Sequence, residues 1–388
     1  MRIAFVSPWD VTDADAWSGT IAPMYAALSR HASVTPVWTG DIPLAPADRL
    51  LERGIGRLTE RTYSPHHAVL SSRRRGRIVA ERVAATGADL VVAVAASTDI
   101  VYARLPQPVI QVGDTTFAAL LGFYPIVDQL HPLAVRQALR VDRDARRATH
   151  SFAMMTDWAV RALLREGVAA DRAHTVPFGP SVQPRTLAPR EPHDELSLLL
   201  VASDWARKGG PAALAAVQQA RAAGHRVSLT AVGNLPPLPD WVDARGRVPR
   251  HTLPDLYLQH DVLLELATAN TAGMTLTDAA AYGLPVIATD VGGVSTIVRD
   301  GETGLLVRPG EPCVADAVGA IASLADGDRW RSLSAGARAH HEALLNWDVW
   351  ATRLLELSGH ACDQHLSGNP DDRSIRRARL STRDTRNE

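Results

Sequence analysis

Short apolar runs bounded by polar turns recur through the first half of the chain. Residues 3–6, 33–38, 90–95 and 109–112 are such runs, and they show little alternation of apolar with polar positions. That pattern predicts strands buried on both faces, as in a parallel sheet. Residues 13–19 read as a polar loop and 20–30 have helical spacing. A run over 147–155 feeds another strand, and Thr156-Asp157-Trp158 predicts a capped helix reaching about residue 166.

The pattern stops between 177 and 193. Pro177, Pro180, Pro184, Pro189 and Pro192 crowd this stretch together with Gly179, which predicts an interdomain linker. A second series follows, with strands over 196–201, 226–232, 261–266, 285–289 and 304–307. Helices over 211–223, 273–282 and 311–325 separate them. This alternation predicts a parallel sheet covered on both faces. The whole is expected to be α/β, with two doubly wound Rossmann-like domains facing a cleft. Ligands in such sheets bind beyond the carboxyl ends of the strands. The expected divisions are 1–177, a linker over 178–195, 196–345, a C-terminal helix over 346–360 and a disordered tail over 361–388.

Composition narrows the class. The 388 residues are 46% hydrophobic and 21% charged, which is ordinary globular usage on a chain too long for one core. A formal net charge of -1 argues against a nucleic-acid partner. Cys313 and Cys362 cannot make a disulfide framework or a zinc cage. No apolar run approaches the ~18 residues of a membrane span. Residues 1–6 lack the apolar stretch of a secretory signal, so a cytoplasmic address is expected.

Lys208 is the single lysine among 41 basic residues. It lies in Ala202-Ser203-Asp204-Trp205-Ala206-Arg207-Lys208-Gly209-Gly210-Pro211, between a strand and a helix start. Two glycines let a backbone approach a ligand, a helix N-terminus favours an anion, and an ammonium neutralises diphosphate as a point charge. A solvated loop charge is the competing account. A second segment runs from Asn270 to Gly293. There the N–H groups of Gly273, Met274 and Thr275 would open a helix and could face a phosphate. Asp278, one turn in, could accept from ribose hydroxyls, or it could simply favour the helix dipole.

These two segments resemble the retaining family-4 glycosyltransferases of the GT-B fold. Trp17-Ser18-Gly19-Thr20, Val176-Pro177-Phe178-Gly179 and Arg299-Asp300-Gly301-Glu302-Thr303-Gly304 extend the resemblance over residues 1 to about 358. It implies a GT-B architecture whose C-terminal helix packs back towards the N-terminal domain. Lys208 would then bind the donor diphosphate, with Gly273, Met274 and Thr275 offering backbone donors to it. Asp278 would hold the ribose, and Asn270 stands where a glutamate contacts the donor sugar. Gly19 would let the backbone approach the diphosphate, and Arg247 and Val248 lie where the backbone meets the base. The sequence departs from the pattern at Asn270, at Ser203 in place of an arginine, and at Thr296 in place of a glutamate. Arg207 could supply the missing positive charge.

Asp114, in Gly113-Asp114-Thr115-Thr116-Phe117, follows a buried strand and could touch the donor sugar or the acceptor hydroxyl; a helix cap is the alternative. Ser97-Thr98-Asp99 could line an acceptor pocket. Asp142-Arg143-Asp144 reads as a solvated helix face, not a metal motif. His66-His67 and His340-His341 are adjacent pairs that suggest no metal. Arg73-Arg74-Arg75-Gly76-Arg77 reads as a solvated charge run, with contact to anionic lipid as a second reading.

The expected function is transfer of a sugar from a nucleotide-sugar donor to an acceptor hydroxyl with retention. Lys208, Asn270 and Asp114 are the catalytic candidates. No metal and no cofactor are expected beyond the nucleotide sugar as co-substrate. The acceptor (a saccharide, a lipid-linked group or a small molecule) is not specified. An epimerase or phosphorylase of the same architecture is the alternative, and so is a catalytically weak sugar-nucleotide-binding partner protein. A dinucleotide dehydrogenase is disfavoured, because no Gly-x-Gly-x-x-Gly follows the first strand.

Overall fold

A computed structural model of the protein describes residues 1–183 and 191–368. The first sheet contains β1 (Arg2–Ser7), β2 (Ser33–Trp38), β3 (Leu90–Val94), β4 (Val109–Gly113), β5 (Ser151–Met154) and β6 (Ala173–Thr175). Their order is β2-β1-β3-β4-β5-β6, all parallel. The second contains β7 (Leu196–Ala202), β8 (Val227–Gly233), β9 (Val242–Gly246), β10 (Val262–Glu265), β11 (Val286–Thr289) and β12 (Gly304–Val307). Their order is β12-β11-β10-β7-β8-β9, again all parallel.

Burial on both faces explains the apolar runs. Every residue of β3 and of β10 is buried. In β1, Ile3 and Phe5 enter one core while Ala4 and Val6 enter the other, as the two-residue period of a strand requires. The helix Ile21–Ser29 covers the first face through Met24 and Leu28, and Val69–Thr86 covers the second through Val79 and Val83.

β6 and β9 escape the hydrophobic pattern. β6 is three residues long, and β9 exposes Asp243, Ala244 and Arg245. Both are edges, each paired with a single neighbour.

The last helix, Trp347–Gly368, returns to the first sheet. Trp350 and Leu354 are fully buried in the core that holds Ile3 and Phe5, and each such burial contributes roughly 2 kcal/mol. Arg30 pairs with Asp348 across the same junction. This helix runs on to Gly368, into the stretch expected to be a disordered tail; 369–388 lie outside the described residues, as do Pro184 and Pro189 of the linker.

The described start of the linker is packed. Phe178 lies against Trp17 (5.5 Å), Trp347 (6.1 Å) and Trp350 (6.5 Å) between ring centroids. A Cβ on Gly179 would stand 2.6 Å from the Trp347 ring, so glycine permits this contact. The first half, the linker and the last helix therefore meet around one aromatic cluster.

Candidate active site

Lys208 sits in the loop between β7 and the helix Gly210–Ala222, with only 9% of its surface exposed. Its Nζ donates to Glu265 Oε1 at 2.9 Å and to Thr275 Oγ1 at 3.4 Å. Glu265 ends β10 and is 2% exposed; it also accepts from Asn270 Nδ2 and from Thr275 Oγ1. The solvated-charge account of Lys208 is thereby excluded. Gly209 and Gly210 serve a different purpose from the expected one. Gly209 has φ +75°, and a Cβ there would stand 1.8 Å from the Leu266 carbonyl oxygen; one on Gly210 would meet the Trp205 ring at 2.2 Å. Gly209 brings the loop against the end of β10, and that closeness lets Lys208 reach Glu265, while Gly210 makes room for the Trp205 ring.

Arg207 points elsewhere. It donates to Ala269 O at 3.1 Å and to Asp204 at 3.3 Å, and its guanidinium lies 5.1 Å from the Tyr124 ring centroid in the other half of the molecule.

Asn270 is buried, and both ends of its amide are used. Nδ2 reaches Glu265, and Oδ1 accepts from Gly273 N–H at 2.8 Å. A phosphate would have to displace Asn270 Oδ1 to take the Gly273 N–H that the sequence offers it. Met274 and Thr275 open the helix Met274–Ala281, where their N–H groups have no carbonyl one turn back within the helix. The Lys208 ammonium reaches this helix opening through the Thr275 hydroxyl.

Asp278 is 2% exposed, and its oxygens face the linker. Ser181 donates to it through N–H (2.5 Å) and Oγ (2.7 Å), and Tyr257 OH lies at 3.4 Å. A ribose would have to displace Ser181 to reach it. Burial pushes the Asp278 carboxyl up to about 6, against an ordinary 3.8, although the Ser181 bonds pull it down. The folded protein thus holds this proton more tightly than the unfolded chain, so stability falls as pH rises from about 4 to about 6. Asp278→Asn is expected to flatten that fall, as chemical denaturation across the window would record.

Several contacts cross the cleft here. Thr271 donates to Asp114 Oδ2 at 2.8 Å, which brings the end of β4 to the Asn270 loop. Asp157 N–H donates to Thr296 Oγ1 at 3.0 Å. Arg250 donates to Asp15 Oδ1 (2.9 Å), Ser18 O (3.0 Å) and Ser181 Oγ (3.1 Å). Trp17, Ser18 and Gly19 take successive positive φ values of 44°, 61° and 79°. Such strain costs about 1–3 kcal/mol for each non-glycine residue and needs surrounding contacts to hold it; Arg250 supplies one. A Cβ on Gly19 would lie 2.7 Å from this guanidinium, so Gly19 makes room for Arg250 here. Burial raises the Asp114 carboxyl, and the Thr271 hydroxyl opposes this. Arg247 is exposed and bonds Asn234, while Val248 is half-buried; both lie in the loop that leads from β9 to Arg250.

A cavity of about 160 Å³ opens beside Asp114 at the carboxyl ends of β3 and β4, lined by Ser97, Thr98, Thr115, Asp142 and Arg146 among others. Asp99 is not in it: its carboxylate pairs with Arg75 at 2.9 Å, both groups buried. Arg75 is thus no part of a solvated or lipid-facing run. Asp142 also departs from the solvated-face expectation, because it is turned inward onto Arg146, which also holds Glu166. Tyr102 OH donates to Asp144 at 3.0 Å. His67, on the cavity wall, is pushed down to about 4 by burial. Among the described residues, no helix is long and apolar enough to cross a membrane.

Residues 195–326 match the model of the family "Glycosyl transferases group 1". This part of the chain is a glycosyl transferases group 1 domain. It holds Lys208, Glu265, Asn270 and Asp278, so the network described above lies within the group 1 domain. A D-inositol 3-phosphate glycosyltransferase of Nocardia farcinica is 43% identical over 109 residues, 28% of this chain and 24% of that protein. The chain thus spans about a quarter of that curated relative. Over nearly their whole lengths the architecture is GT-B. Sucrose-phosphate synthase from Thermosynechococcus elongatus superposes with a TM-score of 0.66 at 19% identity, covering 92% of this chain and 98% of that one. Anabaena HepE in complex with UDP-glucose superposes at 0.61 and 16% identity, covering 92% and 98%.

Sequence reasoning missed Glu265, Arg250 and Tyr124 at this site. Glu265 had a signal, an acid inside the apolar run Val262-Leu263-Leu264-Glu265-Leu266. Arg250 had none, being one arginine among many.

Proposed function

We propose that the chain is a retaining glycosyltransferase that moves a hexosyl group from a nucleotide-sugar donor to an acceptor hydroxyl. The observation that carries this is the Lys208 ammonium 3.4 Å from Thr275 Oγ1, at the opening of the helix Met274–Ala281. In this proposal the cation and the first-turn N–H groups take up the charge that a leaving diphosphate gains, and Glu265 and Thr275 fix the cation beforehand. Preorganised donors of this kind stabilise a transition state without reorganising. The resemblance to family-4 enzymes, the group 1 domain and a structural neighbour holding UDP-glucose support the nucleotide-sugar reading.

Asp114 and the cavity beside it form the acceptor side in this proposal. The acceptor hydroxyl attacks on the face the diphosphate leaves, and a departing phosphate oxygen takes its proton. No metal is needed, because Lys208 and the helix N–H groups carry the developing charge. Ser181 must release Asp278 for the ribose to bind as proposed.

A thermal-shift titration with UDP and UDP-glucose tests donor binding, and stabilisation by either is expected. UDP release in the presence of EDTA with candidate acceptors then tests turnover, and the anomeric coupling of the product by NMR tests retention. An inverted product would reject the mechanism. The engaged state of Asp278 and Lys208 also favours a second reading, a binding protein with weak turnover. Stabilisation by UDP-glucose with no UDP release across a broad acceptor panel would select it.

A further inference from the structure

Position 270 carries an amide where the resemblance implies a carboxylate. The carboxylate in this network comes from Glu265, five residues earlier. Glu265 Oε1 accepts from Lys208 Nζ at 2.9 Å and from Asn270 Nδ2, and Oε2 accepts from Thr275 Oγ1. Asn270 passes the connection on, its Oδ1 accepting from Gly273 N–H at 2.8 Å. One buried acid thus fixes the cation, the amide at the sugar-facing position and the opening of the helix Met274–Ala281. A carboxylate beside Val262, Leu263 and Leu264 is costly to bury unless paired and fully bonded; here three donors meet it.

We propose that Glu265 is the acid of this site, moved from position 270 to the end of β10, and that it acts as a positioning residue. It holds Lys208 and Asn270 in place while the site is empty, and the arriving diphosphate takes over the ammonium from it. This rests on the donor-binding reading above. Glu265 also competes with the diphosphate for Lys208. Removing its charge should therefore tighten binding of the product nucleotide while it slows transfer, because the amide and the amine lose their common anchor. A merely structural ion pair would not produce that opposite movement.

The single lysine makes the test direct. Acetic anhydride labelling of the full-length protein, read by mass spectrometry on the peptide that carries Lys208, reports how tightly the amine is held. Wild type, Glu265→Gln and the exchange variant Glu265→Gln/Asn270→Glu are compared. In Glu265→Gln the unliganded amine is expected to label about tenfold faster, since a charge-assisted bond is lost. UDP is expected to bind about fivefold tighter to that variant, while UDP release from UDP-glucose falls on the order of a hundredfold. The exchange variant is expected to return labelling and release to within roughly fivefold of wild type, as coupled neighbours do. Should Glu265→Gln fail to fold, the exchange variant, which keeps the charge, carries the labelling comparison. Unchanged labelling in Glu265→Gln, or an exchange variant that labels as fast as the single one, overturns the proposal. Failure of UDP to protect Lys208 in wild type overturns the donor reading instead, and the unliganded labelling rates still decide the role of Glu265.

Discussion

Lys208→Ala is expected to lose both nucleotide-diphosphate binding and stability. The stability loss follows from what remains behind. Glu265 is 2% exposed and would lose the ammonium of the only lysine in the chain. Breaking a buried pair from one side costs about 3–5 kcal/mol, because the surviving charge stays buried without its partner. The Asn270 amide and the Thr275 hydroxyl still donate to Glu265, so about 3 kcal/mol is expected. The functional loss is separate. A charged donor aimed at developing charge in a site closed to water contributes about 2.7–4 kcal/mol to the transition state, so turnover should fall on the order of a hundred- to a thousandfold. Urea denaturation measures the first effect, and UDP titration with UDP-release kinetics measures the second. The pair Lys208→Met with Glu265→Gln divides them: the buried charge is gone, the Gln oxygen still accepts from Asn270 and Thr275, and stability is expected to recover in large part while UDP binding stays lost. Retained UDP affinity in Lys208→Ala would refute the assignment. Lys208→Arg is not a conservative control, because a planar guanidinium does not fit a site built for a compact ammonium.

Gly209→Ala should be the most damaging small substitution in the group 1 domain. Two penalties coincide at this residue. Its φ of +75° disfavours any side chain, and its Cβ would stand 1.8 Å from the Leu266 carbonyl oxygen. That oxygen belongs to backbone leaving β10, which is hydrogen-bonded to β7 and β11 on either side. Neither partner can yield without opening the sheet. A loss of more than about 4 kcal/mol is expected, the range reserved for backbone clashes and broken cores. Gly224→Ala is the matched control: its φ is +91°, but nothing lies within 4 Å of the added carbon. There only the conformational penalty of about 1 kcal/mol applies. Equal stability losses in the two variants, measured by thermal denaturation, would show that the contact with Leu266 does not matter.

The contacts around Ser181 join the linker to the second half and, through Arg250, to the first. Ser181 serves Asp278 on one side and Arg250 on the other, and Arg250 holds the strained turn at Ser18. Linker, turn and the helix Met274–Ala281 are connected in this way through three side chains.

The alternation of apolar runs and helices settled the α/β class and the two doubly wound halves from sequence alone. It could do so because central strands are buried on both faces and carry an uninterrupted hydrophobic signal. β3 and residues 262–264 of β10 were legible for that reason. β6 and β9 were not, because an edge strand needs only one neighbour and can leave Asp243 and Arg245 in water. Lys208 stood out by composition, but its neighbours in space did not. Glu265 lies 57 positions away and meets Lys208 only because Gly209 lets two backbones touch. Which way Arg207 turned, what held both ends of Asn270, and what occupied the space beside Gly19 were decided by packing between elements far apart in the chain. Local spacing carries no record of such contacts. The chain order therefore determined which elements form and which residues could carry charge at the cleft, whereas the folded arrangement decided which charges are already paired.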